Sequence, residues 1–196
     1  MLQWAWEYTK RVGTLLIMNF LFGITMFLVF ALDNVAARVA IVFVMLAAMF
    51  ALDFFLMRSA GEQDFKMSVI GEAKRRNKPS GAPEGHSTYH ISKEYRVYKG
   101  FLIGLITMAL AIVLIVAAQM TGSNGVKIAL FIVYGWLYFP VVAISLEANL
   151  FFCLIVFAVA LTLFGVSYII GGEKGRLQHY ILLKKTNAIS EMEKKN

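Results

Sequence analysis

The chain has one cysteine, three histidines and three prolines in 196 residues. A lone cysteine, Cys153, excludes a disulfide within the chain. Three histidines cannot supply the ligand clusters of a membrane di-iron oxygenase. Zinc needs three or four protein ligands in fixed geometry, whereas His86, His90 and Glu84 lie in or beside a Gly/Pro linker and His179 stands far off in sequence. No metal site is expected. A serine–histidine pair in context, a phosphate loop and a nucleotide fingerprint are also missing, so no cofactor and no catalytic residue is assigned. An intramembrane enzyme is the least supported class, because it needs His86, His90 or Asp53 to converge with other polar groups.

Charge is scarce as well. Only 16% of residues are charged while 59% are hydrophobic, against about 25% and roughly 45–50% in soluble domains. Mean hydropathy is +0.69. These values exclude disorder, a secreted disulfide scaffold and an ordinary cytosolic enzyme. They define a polytopic membrane protein.

A helix needs about 20 mainly apolar residues to cross the hydrocarbon layer with all its backbone groups paired. Five stretches qualify: 13–32, 35–57, 100–119, 126–146 and 150–170. The expected fold is therefore an all-α, polytopic transmembrane bundle of about five spans in a 2 + 3 arrangement. Segment 1–12 is an interfacial lead-in, with Trp4, Trp6 and Tyr8 ahead of Lys10-Arg11 as an aromatic belt followed by a basic pair. The first span lacks a nearby small-residue cleavage site and reads as a permanent anchor. Spans one and two, together 13–57, are joined through Asp33-Asn34 as a tight hairpin. Spans three to five occupy 100–170.

Between the groups lies the basic loop 58–99, broken by Pro79-Ser-Gly-Ala-Pro-Glu-Gly85. Gly61–Lys78 is expected as an amphipathic helix using Phe65, Val69 and Ala73, and Ser92 as the cap of a helix running through Tyr95 and Tyr98 into span three. The tail, 171–196, places Leu177, Ile181, Ala188 and Met192 near one helical face, which suits an interfacial helix attracted to anionic lipid.

Lysine and arginine favour the cytoplasmic side. With five crossings, one face carries eleven basic residues, mostly in the 58–99 loop. The other carries eight: Arg38, Lys127 and six in the tail. The expectation is a cytoplasmic N-terminus and loop with the tail on the opposite side, a side on which so basic a tail is out of place. The alternative is a re-entrant hairpin within 126–170, where Gly135, Pro140 and the Glu147 turn interrupt the apolar run.

Candidate functional positions follow from what hydrocarbon tolerates. Asp53 is the one carboxylate clearly inside a span, and an intramembrane ionisable group is a functional candidate by default. It reads either as an interfacial acid that reaches water or pairs with Arg58 or Arg11, or as an ion or proton site. Span four carries Tyr134, Trp136 and Tyr138 just before Pro140. Proline cannot donate to the carbonyl of Trp136, so these aromatics mark either a pocket or interhelical packing. Ala36, Ala40, Ala47 and Ala51 form a small-residue stripe on span two, and Gly100 with Gly104 opens span three. Both are helix-packing faces. Phe-Ala-Leu-Asp-x4-Arg occurs at Phe30–Arg38 and again at Phe50–Arg58, but the flanks differ and the repeat is read as coincidence.

Two functional readings remain. The first is a non-catalytic subunit or accessory component of a membrane assembly, contacting other membrane-protein subunits and anionic headgroups. The second is a small transporter or channel subunit with a path along spans four and five and Asp53 as the coupling acid. The net charge of +7 meets lipid headgroups rather than nucleic acid. The compact loops point to the plasma membrane of a bacterium.

Overall fold

A computed structural model describes residues 2–29, 31–76, 95–144 and 150–193. They form five helices: α1 (Leu2–Val29), α2 (Val35–Arg76), α3 (Lys99–Thr121), α4 (Asn124–Ile144) and α5 (Cys153–Glu193), the last preceded by a 3-10 turn at Leu150–Phe152. No strand occurs among the described residues. All five helices are long and apolar enough to cross a membrane, and the chain is an all-helical, multi-pass membrane protein. Their outward surfaces carry Ile17, Val44, Phe55, Val113 and many other large apolar side chains, as lipid-facing helices must.

Helix ends follow local chemistry. Asn34 caps α2, its Oδ1 accepting from the Ala37 N–H at 3.1 Å, and this closes the short α1–α2 connection. α3 ends at Gly122, whose φ of 63° lets its N–H reach the Ala118 carbonyl at 3.1 Å; only glycine takes that conformation without strain. Residues 61–76 of the helix expected after span two are helical, as a direct continuation of α2 rather than a separate element. α3 begins at Lys99, with Tyr98 at the cap position and no side-chain cap bond. It therefore starts later than a Ser92 cap requires, and Ser92 itself lies outside the described residues, as do His86, His90 and Glu84.

The two groups of the 2 + 3 order interleave in space. α2 packs most extensively on α5, and α1 on α4. Glycines permit the closest approaches. A Cβ on Gly61 would run into the Tyr168 carbonyl, and one on Gly171 into the Arg58 carbonyl. Gly61 faces Tyr168, and Gly175 faces Phe65 and the Glu62 carbonyl, so α2 and α5 run parallel. Gly100 meets Tyr168 and Gly104 meets Phe164 and Leu161, so α3 runs antiparallel to α5.

These directions settle where the tail lies. Tyr168 and the residues after it sit at the same end of the bundle as Arg11, Asp64 and Lys99. The tail on the opposite side, expected from an odd number of crossings, is thus overturned. The reason lies in α4. At 1.5 Å per residue, Thr121 is about 33 Å from the Lys99 end, and Cys153 is about 22 Å from Tyr168. Both α4 and α5 therefore start in the far half. α4 is broken at Tyr134 (φ −130°, ψ 41°), where Gly135 follows and Pro140 withholds a donor from Trp136. Phe131 and Phe139 would be about 12 Å apart along an unbroken helix, yet their ring centroids are 4.9 Å apart and Phe27 packs on both. The basic residues Lys174, Arg176, Lys184 and Lys185 thereby join the N-terminal end, leaving Arg38 and Lys127 at the other among the described residues.

Past the bundle, α2 and α5 continue side by side. Glu62 bridges Lys66 on its own helix at 2.7 Å and Lys174 on α5 at 2.9 Å. Of the two Phe-Ala-Leu-Asp-x4-Arg strings, residues 31–38 run across the α1–α2 turn into α2, whereas Phe50–Arg58 is helical throughout.

Candidate functional site

Two carboxylates of α2 are buried, on one face. The eleven-residue interval between Asp53 and Asp64 is close to three helical turns, and both belong to the inward stripe of Val42, Leu46, Met49 and Met57.

Asp64 is fully provided for. Arg11 of α1 donates to it through two nitrogens, at 2.6 and 2.8 Å. Lys99, at the start of α3, donates at 2.6 Å, and the Tyr168 hydroxyl of α5 at 2.6 Å. One carboxylate thus ties four helices together. Lys99 and the Asp64 side chain are 4% and 3% exposed, so the charges are desolvated, and their retention depends on these short charge-assisted bonds. Tyr95 stacks on Tyr168 with centroids 5.5 Å apart and an 11° tilt. Its buried hydroxyl has no hydrogen-bond partner, and burial, then the negative charge of Glu173, pushes its phenol above the usual tyrosine range.

Asp53 is the opposite case. It is 1% exposed, and its Oδ2 has no hydrogen-bond partner. It makes no ion pair with Arg11, whose guanidinium is taken by Asp64, and none with Arg58. Asn19 of α1 is 2% exposed and lies beside Asp53 without completing a hydrogen bond to it. Both heteroatoms of the Asn19 amide are unpartnered. A desolvated amide and carboxylate left so are costly and mark a place for a small polar guest or for a function that needs them.

The break in α4 packs against α1 and α2 about one turn from each member of this pair. Gly23, one turn beyond Asn19, approaches Gly135 so closely that a Cβ would come within 3.3 Å of the Gly135 backbone and 3.4 Å of the Trp136 nitrogen. Phe50, three residues before Asp53, meets the Trp136 ring edge-on at 6.4 Å. The structure thus brings Asp53 and Trp136 into one region. Tyr134, also buried, spends its hydroxyl on the Thr107 carbonyl at 2.9 Å, which pins the break to α3. Tyr138 lies beyond the break. It turns toward Phe139 and the Cys153 thiol.

The small-residue faces divide. Gly100 and Gly104 are buried against α5, whereas Ala40, Ala47 and Ala51 are exposed on the outside of the bundle. No group of three or more potential metal ligands occurs among the described residues.

Asp64, Arg11, Lys99 and Tyr168 cannot be found by periodicity, since they come from four separate helices. Asn19 is the most polar residue of the 13–32 run, but nothing in the sequence pairs it with Asp53. The one sequence signal for the α2–α5 seam was Gly61 set against Gly171, Gly172 and Gly175, which only a parallel pairing makes meaningful. The fold and site together define a multi-pass helical membrane protein with a polar pair buried beside a broken helix. Comparison with protein-family models, curated proteins and solved structures finds no match.

Proposed function

We propose that this chain is a small transport component of a membrane, in which Asp53 and Asn19 bind a proton or a small monovalent cation. The observation that carries this reading is the unpartnered Oδ2 of Asp53, buried with an equally unpartnered amide one turn along α1 from the contact with the break of α4. Discontinuous membrane helices build ion sites near the bilayer midplane from freed backbone groups, and irregular backbone at that depth is tolerated where it is buried in protein or lines a cavity. Here Pro140 frees the Trp136 carbonyl, and the Trp136 ring packs on Phe50, three residues before the acid on α2. Asp53 supplies the charge, Asn19 a neutral oxygen, and the two arms of α4 the route from the far half. The clustering of basic residues at the Asp64 end supports a cytoplasmic placement of that end, and the short connections support a bacterial plasma membrane.

The test is flux. Purified protein in proteoliposomes should admit protons or sodium under an imposed membrane potential, and Asp53→Asn should lower the rate at least tenfold while circular-dichroism melting shows an intact fold. Wild-type rates no higher than empty vesicles for both ions, or equal rates in wild type and variant, would sink the reading.

A second reading, an accessory subunit, rests on the outward alanines of α2 together with Leu177, Tyr180 and Ile181 exposed on α5 beyond the bundle. It requires a partner in native membranes. A stable monomer that crosslinks to nothing through cysteines placed at Ala47 and Ile181 ends it.

A further inference from the structure

Asp53 and Asn19 complement each other in one protonation state and not in the other. A carboxylic acid and a carboxamide can each give and take a hydrogen bond. With a proton on Asp53 Oδ2, its O–H donates to Asn19 Oδ1, and Asn19 Nδ2–H donates to the other carboxyl oxygen. The atoms now without a partner, Asp53 Oδ2 and both Asn19 heteroatoms, are then all used. An ionised Asp53 can only accept. It leaves Asn19 Oδ1 unpaired between residues 1% and 2% exposed, at the full desolvation cost of that group.

The same atoms make a poor metal-cation site. A hard cation stripped of its water takes about six oxygens. The pair has three, and the freed Trp136 carbonyl would make a fourth. Nor does another charge engage Asp53. On α1 the nearest is Arg11, about two turns away and bound to Asp64. On α2 it is Arg58, five residues on, which makes no ion pair with Asp53. α3 after Lys99 and α5 from Cys153 to Gly172 carry no charged residue, and α4 has only Lys127, at its start in the far half. Of the other titratable groups there, Tyr134 donates to Thr107 and Tyr168 to Asp64, and Tyr138 lies against Cys153.

A route to the pair is built into the α1–α2 interface. A cavity of about 210 Å3 lies there, with Lys10, Thr14 and Gln63 toward the Asp64 end and Leu15 and Met57 deeper in the bundle. Its outer part has the room and the polar atoms to hold several waters. Leu15 and Met57 are each 2% exposed, and each lies four residues, about 6 Å along its helix, from Asn19 and Asp53 respectively. Both helices thus lead from the cavity to the same pair across one dry turn. A proton crosses such a step along a brief chain of waters, whereas a metal ion must shed its hydration shell.

We propose that the ion taken by this site is the proton, which enters from the Asp64 end through the α1–α2 cavity and is held by Asp53 and Asn19 as a closed acid–amide pair. This rests on the ion-site reading above and narrows it to one ion and one entrance.

Infrared spectroscopy of the full-length protein in sealed vesicles, with the Asp64 end outward, tests it. Acidification should raise a protonated-carboxyl band that is missing in Asp53→Asn and unmoved by sodium. Asn19→Leu should shift that band to higher frequency, because the carbonyl loses its amide donor. Ala60→Phe and Gln63→Phe, which fill the cavity and its mouth, should slow the band's appearance after an external pH jump at least tenfold and leave its final height unchanged. Ala51→Phe, on the outward face of α2, should change neither. Gln63 is exposed, so its variant stays decisive where Ala60→Phe does not fold. A band that survives in Asp53→Asn, a response to sodium as large as that to protons, an unshifted band in Asn19→Leu, or unchanged kinetics in both cavity variants overturns the proposal. Asp53-dependent sodium flux likewise overturns it, yet leaves the ion-site reading standing. Absence of flux for both ions overturns the transport reading instead, and the infrared titration still decides whether the pair takes a proton.

Discussion

Asp53 and Asp64 lie on the same helix and the same face, are buried to the same degree, and have opposite surroundings. Asp64 has Arg11, Lys99 and Tyr168 within hydrogen-bond distance. Asp53 has an unpartnered Oδ2 and an amide neighbour that is itself unpartnered. A satisfied buried carboxylate fixes geometry, and an unsatisfied one costs stability and is kept for something else. The difference places a structural tie at the near end of the bundle and is what supports the ion site proposed at its middle.

That comparison can be broken most decisively at Asp64. Asp64→Ala leaves Arg11 and Lys99 buried without a counter-charge, so the fold should lose about 3–5 kcal/mol, read as failure to accumulate in membranes or a collapsed melting temperature. Next is the seam that carries the cluster. Gly171→Val forces a side chain against the Arg58 backbone and should cost about 1–3 kcal/mol or more, measured by thermal melting in detergent. Tyr168→Phe removes one charge-assisted bond to Asp64 and should cost about 1.5–3 kcal/mol in the same assay. Asp53→Leu should do the reverse. It removes a buried unpartnered carboxylate, so melting should hold or rise by an amount equivalent to about 1–2 kcal/mol, while any ion flux disappears. A drop as large as that of Asp64→Ala would show that the two sites are alike after all. At the small end, Glu62→Gln breaks two partly solvated ion pairs and should shift stability by no more than about 1 kcal/mol.

Topology gives an all-or-none check on the frame in which the two sites are compared. In a Cys153→Ala background, cysteines at Gln3 and Thr186 should label from the same side of sealed vesicles and one at Ser123 from the other. Opposite labelling of Gln3 and Thr186 would mean that α4 crosses completely.

Much of the fold was legible in the chain, for reasons tied to particular residues. Charge-free runs such as 100–119 and 150–170 can be stable only as helices in lipid, and Gly122 and Asn34 mark ends by local chemistry. The conflict over the tail was legible too, as eleven basic residues on one face against eight on the other. Its resolution was not. Gly135 and Pro140 showed where a helix is easily interrupted, but whether the chain bends back there depends on Gly23 receiving Gly135 and Thr107 receiving the Tyr134 hydroxyl. The candidate site divides in the same way. Asp53 stood out because a charge in a span is rare. Asn19 as its neighbour, and Asp64 as the knot of four helices, did not.

Composition and hydropathy by themselves determined that this chain lives in a bilayer as five long apolar helices, because the cost of unpaired backbone in hydrocarbon allows little else. They also determined that its chemistry must rest on very few polar groups. The tertiary structure alone decided which end of the bundle the tail occupies, which buried acid is partnered and which is not. Pairing across helices depends on contacts such as that of Tyr168 with Asp64, 104 positions apart, and no local pattern of apolar and polar residues encodes a contact at that range.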